Sequence, residues 1–322
     1  MNSNYEIKDI SLAAEGRKKI NWVSQHMPVL NTIKEQFIKE KPFRNKRIAI
    51  SVHLEAKTAY LALVMRSGGA EVAVTGSNPY STKDEVTAAL AEEGVKVYAQ
   101  YGVSDNKFRY YLNRVLDIKP HLIIDDGAEL VSIVSTERKE LQRDVLGAAE
   151  ETTSGVIRLQ ALGREGQLAF PVIRVNDAYM KYLFDNRYGT GQSVWDAIMR
   201  TTNLNIAGKT VVVIGYGWCG KGISKRDLED LAVEKKSEVR KNIDEYILKD
   251  GRRIYLLAQG TLVNISAGDG HPVEIMDLSF ALQALSIKYI NDHYKELENK
   301  LYKVPEEIDQ QVARLMLEAS GV

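Results

Sequence analysis

The sequence predicts an α/β fold, a doubly wound parallel sheet in one domain and a second α/β domain with an incomplete middle. Three observations carry that expectation. Apolar runs of strand length alternate with segments of helical period from Arg47 to Val175. Val211-Val-Val-Ile214 reads as a buried parallel strand and runs straight into Gly215-Tyr-Gly217-Trp-Cys-Gly220, a G-x-G-x-x-G turn. About 20 residues further on, where such a unit needs its second strand, the chain is Val233-Glu-Lys-Lys-Ser-Glu-Val-Arg-Lys241, charged and helix-like.

Taken in order, residues 8–40 are helical in period, with Ile20, Val23 and Met27 three and four apart. Arg47 to His53 then forms a strand, 58–67 a helix, Glu71 to Thr75 a strand, and 83–93 a helix opened by a capping box of Thr82 and Glu85. Val95 to Ala99 is a strand, 104–117 a helix aligning Phe108, Tyr111, Leu112 and Val115, and His121 to Gly127 a strand ending in acid. A helix is expected over 136–148, then strands at Phe170 to Val175 and Arg253 to Ala258. The last long helix carries Leu278, Leu282, Leu285 and Tyr289 at core spacing.

Composition limits the function classes. Lys plus Arg and Asp plus Glu both number 43, so no global charge points to nucleic acid or to an acidic membrane surface. No apolar run approaches a membrane span, and no signal core opens the chain. The lone Cys219 excludes an intrachain disulfide and favours a reducing compartment, so a cytoplasmic protein is expected. No metal-ligand cluster is expected.

Ligands of doubly wound sheets bind at the carboxyl ends of the strands. Those ends carry His53 and Glu55, Asp125 and Asp126, Asn176 and Asp177, with Glu150-Glu-Thr-Thr-Ser-Gly155 between the last two. Each has a plainer alternative: a solvated loop acid, a turn at Asp125-Asp126-Gly127, or a helix cap at Glu150 to Thr153. His271, between Gly270 and Pro272, is either a ligand or hinge residue or part of a simple turn. In the glycine turn, Gly215 permits the bend, Gly217 lets backbone approach a pyrophosphate, and Gly220 lets the helix lie close to its strand.

Six strings, in order, resemble the S-adenosylhomocysteine hydrolase family: His53-Leu-Glu-Ala-Lys-Thr-Ala59; Asp125-Asp126-Gly127; Glu150 to Gly155; Asn176-Asp177 with Lys181 and Phe184-Asp-Asn-Arg-Tyr-Gly189; Gly215 to Gly222; and Gly268-Asp-Gly-His-Pro272 with Met276 and Phe280. The resemblance implies a substrate domain over 1–187, completed by 273–322, and a Rossmann-type NAD domain over 188–272, interrupted near 224. It implies hydrolysis of S-adenosyl-L-homocysteine with tightly held NAD, through 3′-oxidation, elimination, water addition and reduction. By motif position Asp126 serves at C4′, His53 at C5′, and Lys181 with Asp185 at the 3′-hydroxyl. Glu151 accepts from the 2′-hydroxyl, and Glu55, Lys57, Thr58, His271, Met276 and Phe280 complete the substrate site. Thr152, Thr153, Ser154, Asn186, Gly215, Gly217, Trp218, Cys219 and Gly220 line the cofactor. A homotetramer is the implied assembly.

Two departures stand out. Family members carry several dozen more residues between the counterparts of Ile223 and Leu228, including the ribose acid, and a C-terminal tail beyond the counterpart of Val322. Either the protein has a deletion, or its sequence is closed up across residues that it contains; the second is favoured, because Val211 to Ile214 would otherwise lack sheet neighbours. An intact mass above 36.1 kDa marks the second reading and a mass at that value excludes it. At position 57, many members place an acceptor for the adenine 6-amino group, whereas Lys57 only donates. A 6-oxo purine accepts, making S-inosyl-L-homocysteine the alternative substrate; the plainer reading pairs Lys57 with Glu55. Outside this chemistry stand a non-catalytic nucleoside binder without NAD and, more weakly, an ordinary dehydrogenase that releases NADH.

Overall fold

A computed structural model describes residues 4–208 and 232–322. The chain divides into two compact units, Met1–Tyr182 with Val273–Val322, and Leu183–Pro272. The glycine turn, its strand Val211 to Ile214, and residues 223–228 lie outside the described residues.

In the first unit the order is β1 (Tyr5–Glu6), α1 (Ala13–Gln25), α2 (Pro28–Glu40), β2 (Arg47–Ser51), α3 (Ala56–Ser67), β3 (Glu71–Thr75), α4 (Asp84–Glu92) and β4 (Lys96–Tyr98). There follow α5 (Asp105–Leu116), β5 (Leu122–Asp125), α6 (Glu129–Thr136), β6 (Gly147–Glu150), α7 (Thr153–Arg164), β7 (Val172–Arg174) and α8 (Tyr179–Tyr182). The second unit holds α9 (Thr190–Thr202), β8 (Ala232–Arg240), β9 (Ile243–Leu248), β10 (Arg253–Leu257) and α10 (Val263–Ser266). The chain then returns to the first unit with α11 (Val273–His293), β11 (Leu301–Lys303) and α12 (Glu306–Ala319).

The eight-stranded sheet has the order β1-β4-β3-β2-β5-β6-β7-β11, every pair parallel. From β2 the chain winds outward through β3 and β4, then crosses back to place β5 on the other side of β2. The β2/β5 junction is therefore the switch point, where a crevice opens at the strands' carboxyl ends. Strand alternation feeds two cores. Ile48, Ile50, Val72, Val74, Leu122 and Ile124 face α1 to α4 and α11. Ala49, Ala73, Ile123 and Ala148 face Tyr111, Leu112 and Val115 of α5 and the apolar residues of α6 and α7.

Three local expectations are corrected. The helix over 136–148 is absent: α6 ends at Thr136, a 3-10 turn covers Lys139–Leu141, and Gly147-Ala-Ala-Glu150 is the buried strand β6. Its two alanines read as helix formers, but the sheet needs small residues where α11 crosses. A Cβ on Gly147 would lie 2.7 Å from Ile290 Cγ2 and 2.8 Å from the Pro171 carbonyl oxygen. The capping box at Thr82 is also absent. Lys83 caps α4 without a side-chain bond, and Glu85 instead accepts from Lys19 of α1 at 2.6 Å.

The third correction is β8, expected to be helix-like and found as a strand. Beyond Ala232 and Val233 five of its seven residues are charged, and it is exposed nearly throughout. It is the edge of an antiparallel β10-β9-β8 meander, and its lysines meet acids on β9, Lys235 with Asp244 at 3.7 Å and Lys236 with Glu245 at 3.7 Å. An edge strand wet on both faces carries no apolar alternation to read.

Candidate active site

Register places one row of residues level across the sheet. Thr75 of β3 pairs with Ser51 of β2, Ser51 with Asp125 of β5, Asp125 with Glu150 of β6, and Glu150 with Arg174 of β7. The residues that follow each strand therefore emerge along one line: Ser77, His53, Asp126, Glu151 and Asn176.

At the switch point, His53 Nε2 lies 3.4 Å from Asp126 Oδ2. Ser77, in the loop after β3, has its hydroxyl 2.9 Å from the same Oδ2 and 3.2 Å from His53 Nδ1. The next turn is set by Glu55, the N-cap of α3, which accepts from the backbone N–H of Lys57 at 3.1 Å and of Thr58 at 3.4 Å. Glu55 also meets the Lys57 ammonium at 2.7 Å, with both side chains buried, so the expected pairing of these two is present. The Thr58 hydroxyl donates to the His53 carbonyl at 2.6 Å, tying the helix start to the loop that carries His53.

Behind this row lies a fully buried acidic pair. Asp125 accepts from the N–H of Val131 at 2.9 Å and of Asp126 at 3.2 Å. Glu150 accepts from the N–H of Gly127, Ala128 and Thr152, each at 2.9 Å, and from the Thr152 hydroxyl at 2.8 Å. Burial pushes the Asp125 carboxyl up to about 7 and raises Glu150 well above the carboxylate range, with the charges of Asp125 and Asp126 adding to it. This clamp holds Gly127 at φ +92° and Ala128 at φ +59°. A left-handed alanine persists where its surroundings over-determine it. The clamp leaves no room at Gly155, where a Cβ would lie 2.0 Å from Glu150 Oε1.

Glu151 accepts from Gln283 Nε2 of α11 at 2.6 Å and lies 3.8 Å from the Lys181 ammonium. Lys181, 3% exposed, donates to Asn176 Oδ1 at 3.2 Å, an oxygen shared with the Thr153 hydroxyl. The one-turn helix α8 that carries Lys181 is anchored by Asp309 of α12, which accepts from the N–H of Tyr179 at 2.9 Å and of Met180 at 3.0 Å. Thr152 is the N-cap of α7, so the helix-cap reading of this stretch holds for that residue, and the Thr153 and Ser154 side chains reach the surface beside it. Met276 and Phe280 sit on α11 in the core, Phe280 only 1% exposed.

In the second unit Asp185 and Asn186 lie in a π-helical turn, Asp185–Gly189, a form that often marks functional positions. His271 Nδ1 meets Asp185 Oδ2 at 3.1 Å, and its Nε2 lies 3.4 Å from the Thr190 hydroxyl. The ring lies against Gly189, where a Cβ would come within 2.9 Å of its Cγ and Nδ1. Gly215, Gly217, Trp218, Cys219 and Gly220 lie outside the described residues.

Ser77, Gln283, Asp309 and the clamp made by Glu150 join the site beyond the residues that the sequence motifs mark. The strand-end rule applied to β3 reaches Ser77 directly. Gln283 and Asp309 come from distant helices and carry no local signal. Among the described residues no helix is long and apolar enough to cross a membrane, and no group of three or more His, Cys, Asp or Glu is arranged to hold a metal ion.

A parallel sheet with a His–Asp–Ser cluster at its switch point, and a buried lysine held between an amide and a carboxylate, is the arrangement of an α/β enzyme. The sequence profile of the S-adenosyl-L-homocysteine hydrolase family matches residues 4–145 and 136–322. The chain is 49% identical to the adenosylhomocysteinase of Pyrococcus abyssi, over 99% of this chain and 94% of that protein. It is 43% identical to the S-inosyl-L-homocysteine hydrolases of Methanopyrus kandleri, over 99% and 93%, and Methanocaldococcus jannaschii, over 99% and 95%. The chain belongs to the S-adenosyl-L-homocysteine hydrolase family. These alignments extend over 396 to 398 positions while the chain has 322 residues, so the relatives carry several dozen positions within the matched span that have no counterpart here.

Proposed function

We propose that this protein catalyses the reversible hydrolysis of S-adenosyl-L-homocysteine to adenosine and L-homocysteine. The observation that carries the proposal is the pairing of His53 with Asp126 at the switch point, in the same row as the Lys181, Asn176 and Glu151 group. Family membership implies NAD, which when bound supplies oxidation of the ribose 3′-hydroxyl and so acidifies the C4′ hydrogen. The exposed hydroxyl-bearing Thr153 and Ser154 at the start of α7 fit the nicotinamide ribose side of such a group; the glycine turn is the expected cradle for its pyrophosphate.

The residues then divide the proton work. Asp126 takes the C4′ proton as its carboxylate, and His53 as imidazolium protonates the leaving sulfur. Passing the Asp126 proton to His53 Nε2 restores both groups, and the same pair acts in reverse when water adds at C5′. Lys181 and Glu151 orient the ribose hydroxyls, with Gln283 and Asn176 holding them in place. By motif position Asp185, which meets His271 Nδ1 at 3.1 Å within the second unit, is assigned to the 3′-hydroxyl. The homotetramer and the cytoplasmic location implied by the family belong to this proposal; sedimentation at four times the chain mass checks the first.

A specific observation favours a second reading, S-inosyl-L-homocysteine. Lys57 is a donor where a 6-oxo purine offers an acceptor, and the chain resembles relatives of both names; its 2.7 Å pair with Glu55 is the contact that the adenosyl reading expects. The experiment is thiol release by the purified protein from each thioether, with bound nicotinamide nucleotide measured after denaturation. Homocysteine release from either, with no net NADH, supports catalysis. No thiol from both overturns it in favour of a non-catalytic binder.

A further inference from the structure

The position of Ser77 determines where the protons of the His53 and Asp126 pair must lie. A serine hydroxyl has one hydrogen and two lone pairs, and an ionised carboxylate only accepts. The Ser77 hydrogen therefore goes to Asp126 Oδ2 at 2.9 Å, and a lone pair is left facing His53 Nδ1 at 3.2 Å. Two lone pairs cannot face each other at that distance, so Nδ1 carries a hydrogen and donates it to Ser77. His53 Nε2 is then the nitrogen left to gain and lose a proton, and it is the one 3.4 Å from Asp126 Oδ2. The backbone behind the ring is held as well, because the Thr58 hydroxyl donates to the His53 carbonyl at 2.6 Å.

We propose that Ser77 is a positioning residue that holds His53 in the Nδ1–H tautomer and so makes Nε2 the atom that exchanges protons with Asp126. The proposal rests on the catalytic reading above and deepens it. The proton taken from C4′ by Asp126 moves to the Nε2 lone pair after the imidazolium has given its own proton to the departing sulfur, so no proton is created or lost. With the other tautomer, Nε2 would carry the hydrogen and offer no lone pair to receive the proton.

The test is ¹⁵N NMR of the histidine-labelled full chain, where the two ring nitrogens report the tautomer directly. A His53→Gln variant identifies the His53 signals among the five histidines. Wild type is expected to show neutral His53 protonated at Nδ1, Ser77→Ala to shift it toward Nε2–H, and Ser77→Thr, which keeps the hydroxyl, to restore the original pattern. In turnover, Ser77→Ala is expected to lower kcat by about a hundredfold, with KM nearly unchanged. Nε2–H in the wild type, or an unchanged tautomer in Ser77→Ala, overturns the proposal. If the wild type releases no thiol, the catalytic reading fails while the NMR comparison still decides the role of Ser77.

Discussion

Asp277 offers a test of how α11 is locked into the first unit. Its carboxylate is buried and accepts from the N–H groups of Val29 at 2.9 Å and Leu30 at 2.8 Å, the first free donors of α2 after Pro28. Burial pushes this carboxyl up to about 6, against the pull of both hydrogen bonds, from an ordinary value of 3.8. Because the folded value lies above the unfolded one, the native state binds more protons between them. The group's contribution is full below about 3.8 and is lost as pH rises through about 6. Two pH units correspond to about 3 kcal/mol. Asp277→Asn removes that titration but turns an amide N–H toward one backbone donor, at a cost of about 1–3 kcal/mol. The variant should therefore be the less stable protein near pH 4.5 and equal or exceed wild type near pH 8. Urea unfolding of both proteins across that range measures the difference. A stability gap independent of pH would refute the assignment of a raised, titrating carboxyl at this cap.

Gly155→Ala should lower the melting temperature sharply and abolish turnover, since its Cβ would displace Glu150 from the Asp126 loop; an unchanged melt would show the clamp dispensable. Lys57→Glu should move preference toward the adenosyl substrate by replacing a donor with an acceptor, read as the ratio of kcat/KM for the two thioethers, and an unchanged ratio would remove Lys57 from base selection. Asp309→Ala should cost about 1–2 kcal/mol of stability through loss of the α8 cap and reduce kcat through Lys181, whereas full activity would show that α8 is positioned otherwise.

How much of this was legible follows from what each residue answers to. The parallel strands β2, β3 and β5 are buried on both faces and read as apolar runs, and the strand-end rule then picked out His53 and Asp126 without any partner being known. β6 did not read as a strand because its small residues answer to α11 crossing above them, a tertiary demand that overrides local propensity. β8 was hidden by charges whose partners lie on the next strand. At the site, attention to ionisable residues found one side of each contact and missed its neutral partner: Ser77 beside His53 and Asp126, Gln283 beside Glu151. A hydroxyl or an amide has no charge to announce it, and its role appears only with distances.

The level row across the sheet also bears on how the protein comes to be active during folding. β3 pairs with β2 across a short local crossover, but β5 joins β2 only by closing the chain from Ile48 to Leu122, and β6 and β7 build outward from there. Loop closure over such a separation is slow relative to local pairing. His53 and Ser77 can thus be placed early, while Asp126 arrives with the non-local closure. Recovery of catalysis during refolding would then be a clock for the β2/β5 junction and would lag the appearance of helix.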